Sequence, residues 1–236
     1  MYLGKVELGP APRVVMALRD GIAREEVSRA VNAGVDALEF RIDLFSSCEA
    51  SFVLREIQRH AGVPIVGTIR GAAEGGGWRG SESERLALYQ SVLPCVDAVD
   101  IEIGAAEIAA AVVCEAREQH KLTIGSCHDF ERTPTIEQLA AVVERGKALG
   151  VDVVKVAAEC SEAEDVRRLA AFMLRHGETP LAVIGMGPLG RASRVFFPML
   201  GSLLTYTFFG EATAPGQLNW QDTLKYLEAF YPARSQ

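Results

Sequence analysis

Short runs dense in Val, Ile and other apolar residues alternate along the chain with longer stretches in which apolar positions return at helical spacing. The runs predict strands over 13–19, 37–43, 64–70, 98–103, 122–128, 152–157, 181–186 and 203–208. Between and after them the 3.6-residue period predicts helices over 23–32, 49–60, 82–93, 105–120, 136–149, 162–176, 189–200 and 220–230. Strands alternating with helices of this length imply parallel βαβ units. Eight such repeats without a break in composition point to one parallel eight-stranded (β/α)8 TIM barrel spanning residues 1–236 as a single domain. A doubly wound open sheet is the alternative. It calls for a glycine-rich fingerprint after the first strand, and Arg19-Asp20-Gly21 is not one.

Composition narrows the function classes. The 236 residues are 49% hydrophobic and 23% charged, an ordinary globular balance. No apolar run approaches the roughly 18 residues of a membrane span, and Lys5, Glu7 and Arg13 interrupt the start of the chain. A cytoplasmic location is expected. Five scattered cysteines without a C-x-x-C pair argue against a disulfide framework and against a zinc site. A net charge of −7 disfavours nucleic acid and anionic membranes as partners. An anionic substrate must therefore be held by individual arginines.

In a barrel of this kind, chemistry gathers where strands end. The predicted strand ends carry Glu39, Arg41 and Asp43, then Arg70, Glu102, His128, Lys155 and Met186. Lys155 lies in the apolar run Val153-Val154-Lys155-Val156-Ala157, where burial disfavours the ammonium form and suits an amine nucleophile. The bland alternative is a lysine that reaches out to solvent or pairs with Glu102. His128 closes the preceding strand, where a neutral imidazole suits proton transfer. Cys127 alternates to the opposite face, away from His128. Glu39 and Arg41 share one face of their strand, lining the lumen or forming an internal ion-pair ladder with Asp43. Glu74-Gly75-Gly76-Gly77 forms a flexible loop after Arg70. Two late loops, 185–194 and 210–217, complete the rim; Arg194 suits a bidentate clamp on a carboxylate, and 210–217 suits a mobile lid.

Taken together, these stretches resemble the type I 3-dehydroquinate dehydratases. The resemblance rests on Glu39-Phe40-Arg41-Ile42-Asp43, Arg70 with Glu74-Gly75-Gly76, Ser126-Cys127-His128-Asp129-Phe130 followed by Thr133-Pro134, and Val154-Lys155-Val156-Ala157. It continues through Gly190 with Ser193-Arg194, Gly201-Ser202 and Ala214-Pro215-Gly216-Gln217, in family order from about Arg13 to Ala229. It implies a (β/α)8 barrel, the third step of the shikimate pathway, and a reaction that needs neither metal nor cofactor. By the same carry-over, Lys155 forms an imine with 3-dehydroquinate, His128 serves as base and then acid, and Glu74 orients His128. Arg194 would hold the substrate carboxylate, with Glu39, Arg41, Arg70, Met186, Thr213 and Gln217 around the substrate. A homodimer is the family default. Ala17, Ile184, Tyr206 and Thr213 depart from the usual hydroxyl, methionine, phenylalanine and serine at those places.

Two other readings stay open at this point. A class I aldolase would use Lys155 for carbon–carbon cleavage and the late glycine-rich loop for phosphate. A non-catalytic barrel would bind a metabolite in the same place.

Overall fold

The computed structural model describes residues 1–9 and 11–231; residues 10 and 232–236, which the single-domain reading included, lie outside the described residues. Its barrel strands are β3 (Arg13–Leu18), β4 (Ala37–Arg41), β5 (Ile65–Thr68), β6 (Ala98–Glu102), β7 (Leu122–Asp129), β8 (Val153–Glu159), β9 (Leu181–Met186) and β10 (Leu204–Phe208). They follow a two-residue-per-strand hairpin, β1 (Tyr2–Leu3) with β2 (Val6–Glu7). The eight barrel strands are parallel in the order β10-β3-β4-β5-β6-β7-β8-β9.

The helices α1 (Arg24–Asn32), α2 (Ala50–Arg59), α3 (Glu82–Val92), α4 (Ala109–Glu118), α5 (Ile136–Leu149) and α6 (Ala163–Arg175) cross between strands. α9 (Trp220–Phe230) follows β10. Local sequence starts several of them: Ser81 with Glu84 and Thr135 with Gln138 form capping boxes that satisfy the first orphan N–H groups of α3 and α5. Gly150 ends α5 at φ 78°, a left-handed position that favours glycine.

Between β9 and β10 the ladder gives way to a single bridge, Leu181 to Ser202. Leu203 N donates to Leu181 O at 2.8 Å, and the Ser202 hydroxyl accepts from Val183 N at 3.0 Å, so a side chain carries part of the closure.

Alternation along each strand separates lumen from shell. Val15, Ala37, Val66, Ala98, Ile124, Val153, Ala182 and Leu204 point inward and form one buried cluster, into which the hairpin inserts Leu3 and Leu8. The intervening residues, such as Val14, Leu38, Val99 and Ile101, pack outward against the helices. The hairpin thus plugs the end of the barrel where the strands begin.

Three expectations need correction. The helix expected over 189–200 is broken into α7 (Gly187–Gly190), α8 (Ser193–Phe196) and a 3-10 turn at Phe197–Leu200. Pro198 lacks an N–H to continue α8, and Gly190 lies so close to β9 that a Cβ there would sit 2.4 Å from Gly185 C. The strand expected over 37–43 stops at Arg41, and Ile42–Leu44 turns as a 3-10 helix. The strand expected over 64–70 stops at Thr68, leaving Arg70 just beyond it.

Candidate active site

On β4 to β8 the inward positions that follow the apolar layer are polar. Glu39, Thr68, Arg70, Asp100, Glu102, Ser126 and Lys155 are all buried. An isolated ion there costs several kcal/mol, so each needs a partner. Asp100 is the hub: its Oδ2 accepts from Lys155 Nζ at 2.8 Å, and its Oδ1 accepts from Arg70 Nη2 and the Ser126 hydroxyl, both at 2.6 Å. Burial works against the Asp100 carboxylate, but Arg70 and Lys155 outweigh it and hold its pKa well below the usual carboxylate range. Glu39 accepts from the Thr68 hydroxyl at 3.0 Å and stands 3.4 Å from Lys155 Nζ. The Lys155 ammonium also lies 3.9 Å from the centre of the Tyr206 ring.

The apolar setting expected for Lys155 therefore holds only along its own strand; across the lumen it meets two carboxylates. Nor does it pair with Glu102. That carboxylate is taken by Arg85, by Arg70 Nη1 at 3.5 Å and by Gly71 N at 2.6 Å. Strand periodicity reports neighbours on one strand and not those facing it.

His128 stands on β7 and Glu74 on the loop after β5, and a single oxygen joins them. Glu74 Oε2 accepts from His128 N at 2.9 Å and lies 2.8 Å from His128 Nδ1. With Glu74 ionised, Nδ1 donates to that oxygen, and Nε2 is left with its lone pair free for a substrate proton. Burial, followed by the positive charges of Arg70 and Lys155, pushes the His128 pKa well below its ordinary value. Burial likewise raises Glu74 to about 7, with Arg70 opposing and Glu102 adding to the rise. The Phe130 ring stacks on the imidazole at 6.2 Å between centres. The loop needs its glycines: a Cβ on Gly76 would lie 2.0 Å from Arg70 O, and one on Gly77 2.3 Å from Asp43 O. Asp43, off the strand, fixes Arg41 through two hydrogen bonds at 3.0 and 2.8 Å and accepts from Gly77 N at 2.9 Å.

On the far side, Arg194 is 3% exposed, and among the described residues its guanidinium donates only to backbone carbonyls, those of Gly216, Tyr206 and Pro215 at 3.1–3.3 Å. No carboxylate pairs with it among the described residues, and burial together with Arg191 lowers its pKa to about 10. A buried cation without an anion is a ready receptor for one. The loop that holds it is tied by Gln217, whose Oε1 accepts from Thr213 N at 2.7 Å and Ala214 N at 3.1 Å.

One pocket brings the amine, the imidazole and Arg194 together, with Asp100, Glu102, Thr68, Ser126 and Asp43 supporting it from outside its lining. Glu39, Arg41, Arg70, Glu74, His128, Lys155, Met186, Arg194, Thr213 and Gln217 line it, with Ala157, Ile184 and Met186 as an apolar wall. Cys127 is not among the lining residues; it sits beside Val156 of β8 and packs outward against the helix-side core. Sequence reasoning missed Asp100, Ser126 and Phe130 as members of the site. Asp100 had a readable signal, since it shares strand parity with Glu102. Among the described residues no group of three or more His, Cys, Asp or Glu is disposed to hold a metal ion, and no helix is long and apolar enough to cross a membrane.

Comparison with known proteins bears directly on this arrangement. Residues 14–233 match the family model of type I 3-dehydroquinase. A 3-dehydroquinate dehydratase of Methanococcoides burtonii is 35% identical over 232 residues, covering 97% of this chain and 98% of the relative. One from Thermodesulfovibrio yellowstonii is 36% identical over 217 residues, covering 90% and 92%. Among solved structures, the 3-dehydroquinate dehydratase from Geobacillus kaustophilus superposes with a TM-score of 0.85 at 28% identity, covering 94% of this chain and 93% of that one. A family match over residues 14–233, and a relative 35% identical across 97% of the chain, lead to one conclusion: this chain belongs to the type I 3-dehydroquinase family.

Proposed function

We propose that this chain is a carbon–oxygen lyase that converts 3-dehydroquinate to 3-dehydroshikimate through an imine on Lys155. One observation carries the reading: Lys155 and His128 face the same pocket from adjacent strands, while a buried, unneutralised Arg194 stands among the groups that line it. The substrate is a ketone that bears a carboxylate, and each of its two reactive features meets the group suited to it.

The chemistry follows from the residues. Nζ of Lys155, as the free amine, adds to the ring ketone, and loss of water gives the imine. The imine acidifies the adjacent carbon because the electron pair left behind spreads to nitrogen as an enamine. His128 Nε2 removes that proton, Glu74 holding Nδ1, and the imidazolium then protonates the departing hydroxyl. Water leaves, and hydrolysis of the imine releases product and restores Lys155. One histidine serves twice because the enamine separates the two transfers. Arg194 clamps the carboxylate, Arg41 and Arg70, held in place by their own carboxylates, offer N–H donors at the rim, and Thr213 with Gln217 closes over the substrate hydroxyls. Ala157, Ile184 and Met186 keep water from the reacting carbons.

The same reading makes the whole chain one catalytic unit in the cytoplasm, with 3-dehydroquinate as its small-molecule partner. It also makes the protein a homodimer. Leu189, Phe196, Met199, Tyr226 and Phe230 expose apolar surface around α8 and α9, a face suited to a second copy. Light scattering that returns the monomer mass would remove the dimer without touching the chemistry.

Turnover of 3-dehydroquinate, followed by the ultraviolet absorbance of the conjugated product, tests the function. No absorbance change at millimolar substrate sinks it. Cleavage of a phosphorylated sugar instead would revive the aldolase.

A further inference from the structure

The reaction above leaves the phenol of Tyr206 without a task. Tyr206 points into the lumen from β10 and is 3% exposed. Its ring is accounted for, since an ammonium over an aromatic face is favourable and Lys155 Nζ lies 3.9 Å from the ring centre. Its hydroxyl is not. That oxygen has no hydrogen-bond partner among the described residues, although Glu39, Asp100 and Arg70 are close enough to act on it electrostatically. Buried phenols normally find a partner, and a buried hydroxyl without one is less favourable than the phenylalanine that would fill the same space. Burial, with Glu39 and Asp100, holds the phenol pKa well above its ordinary value, so the group keeps its proton and acts as a donor.

We propose that the Tyr206 hydroxyl donates a hydrogen bond to the substrate oxygen on the carbon that Lys155 attacks, which makes Tyr206 a further catalytic residue of this site. The proposal rests on the imine reading. With Nζ over the ring face, an oxygen one carbon removed from Nζ comes within reach of the hydroxyl at the ring edge. As the nitrogen lone pair forms the C–N bond, the carbonyl π pair moves onto that oxygen. The hydroxyl of Tyr206 stabilises the growing charge there and does not give up its own proton. Both amine hydrogens end on the oxygen, which departs as water when the C=N bond forms.

Tyr206→Phe keeps the ring and removes only the hydroxyl. The rate of adduct formation with 3-dehydroquinate, trapped by saturating borohydride and read by intact mass, is expected to fall three- to tenfold, about one neutral hydrogen bond. kcat/KM falls with it, while the melting temperature of the unliganded protein stays level or rises. A smaller fall in trapping rate overturns the proposal, leaving the hydroxyl idle. A clear drop in melting temperature also overturns it, because the hydroxyl would then have a structural partner in the unliganded protein. If the parent takes no adduct, the imine reading falls and this proposal with it. If the parent is labelled and Tyr206→Phe labels equally fast, only the role of Tyr206 falls.

Discussion

The lower and upper halves of the barrel lumen are built by the same strands two residues apart, yet they are held together by different physics. Ala37 is followed inward by Glu39, Val66 by Thr68, Ala98 by Asp100, Ile124 by Ser126 and Val153 by Lys155. The lower residues, with Leu3 and Leu8 of the hairpin, form a closed apolar cluster that needs no partner beyond contact. Apart from Arg194, the buried cations around the upper layer each depend on a carboxylate: Lys155 and Arg70 on Asp100, Arg85 on Glu102, Arg41 on Asp43. Buried ion pairs of this kind are weak contributors to stability and costly to break. The lower half stabilises the barrel; the upper half spends part of that stability to hold an amine, an imidazole and two arginines in fixed places.

The largest expected effect lies in the upper half and is purely chemical. His128→Ala lowers kcat by at least 10²–10⁴-fold, the usual range for a general base, and by more because one residue works twice. Imine formation survives in this variant, so a covalent complex with substrate accumulates and shows as added mass on the intact protein. A kcat near the parent's would take His128 out of the mechanism.

Next comes a matched pair, one substitution from each half. Asp100→Ala leaves Lys155 and Arg70 without their shared anion. It costs about 3–5 kcal/mol in denaturant unfolding together with most of the activity. Leu204→Ala in the lower half costs a similar ~2–5 kcal/mol through its cavity, but kcat and KM stay close to the parent's when measured well below the unfolding transition. If Leu204→Ala lowered kcat as far as Asp100→Ala does, the division of labour between the halves would be wrong.

The smallest effect is a change in pH profile. Glu74 is raised to about 7 in the folded protein from an ordinary 4.5. The folded state therefore binds this proton more tightly than the unfolded chain does. Glu74 contributes stability that is fully present below about pH 4.5 and is lost as pH rises toward 7. Glu74→Gln should flatten the stability curve across that window. The acid limb of kcat/KM, set near pH 7 by Glu74, should move lower as the depressed His128 becomes the limiting group. An unmoved limb would show that Glu74 does not govern the histidine.

The same comparison explains what was readable from the chain. Part of the upper layer followed from alternation, because period two fixes which side chains share a face, and so Glu39, Arg41, Lys155 and His128 were read on the lumen side. The apolar period also delimited α5 and α9, whose ends carry caps. What alternation cannot report is the partner across the barrel. Asp100, the hub of the upper layer, stayed unread because its partners Lys155, Arg70 and Ser126 lie 26–55 residues away along the chain. The hairpin escaped because two-residue strands carry no period at all. The break at α7 and α8 was present in Gly187-Pro188 and Pro198 but was outweighed by the apolar residues around them.

The central claim is that the one lysine of the upper layer is the nucleophile, and borohydride reduction tests it most directly. Reduction of the imine gives a stable secondary amine, whereas a ketone that is merely bound leaves no mark. Incubation with 3-dehydroquinate and borohydride should abolish activity and add one ligand mass to the peptide that contains Lys155. Lys155→Met should fold, lose turnover and take no adduct. An adduct on Lys121 or Lys147 instead, or full activity in Lys155→Met, would contradict the account.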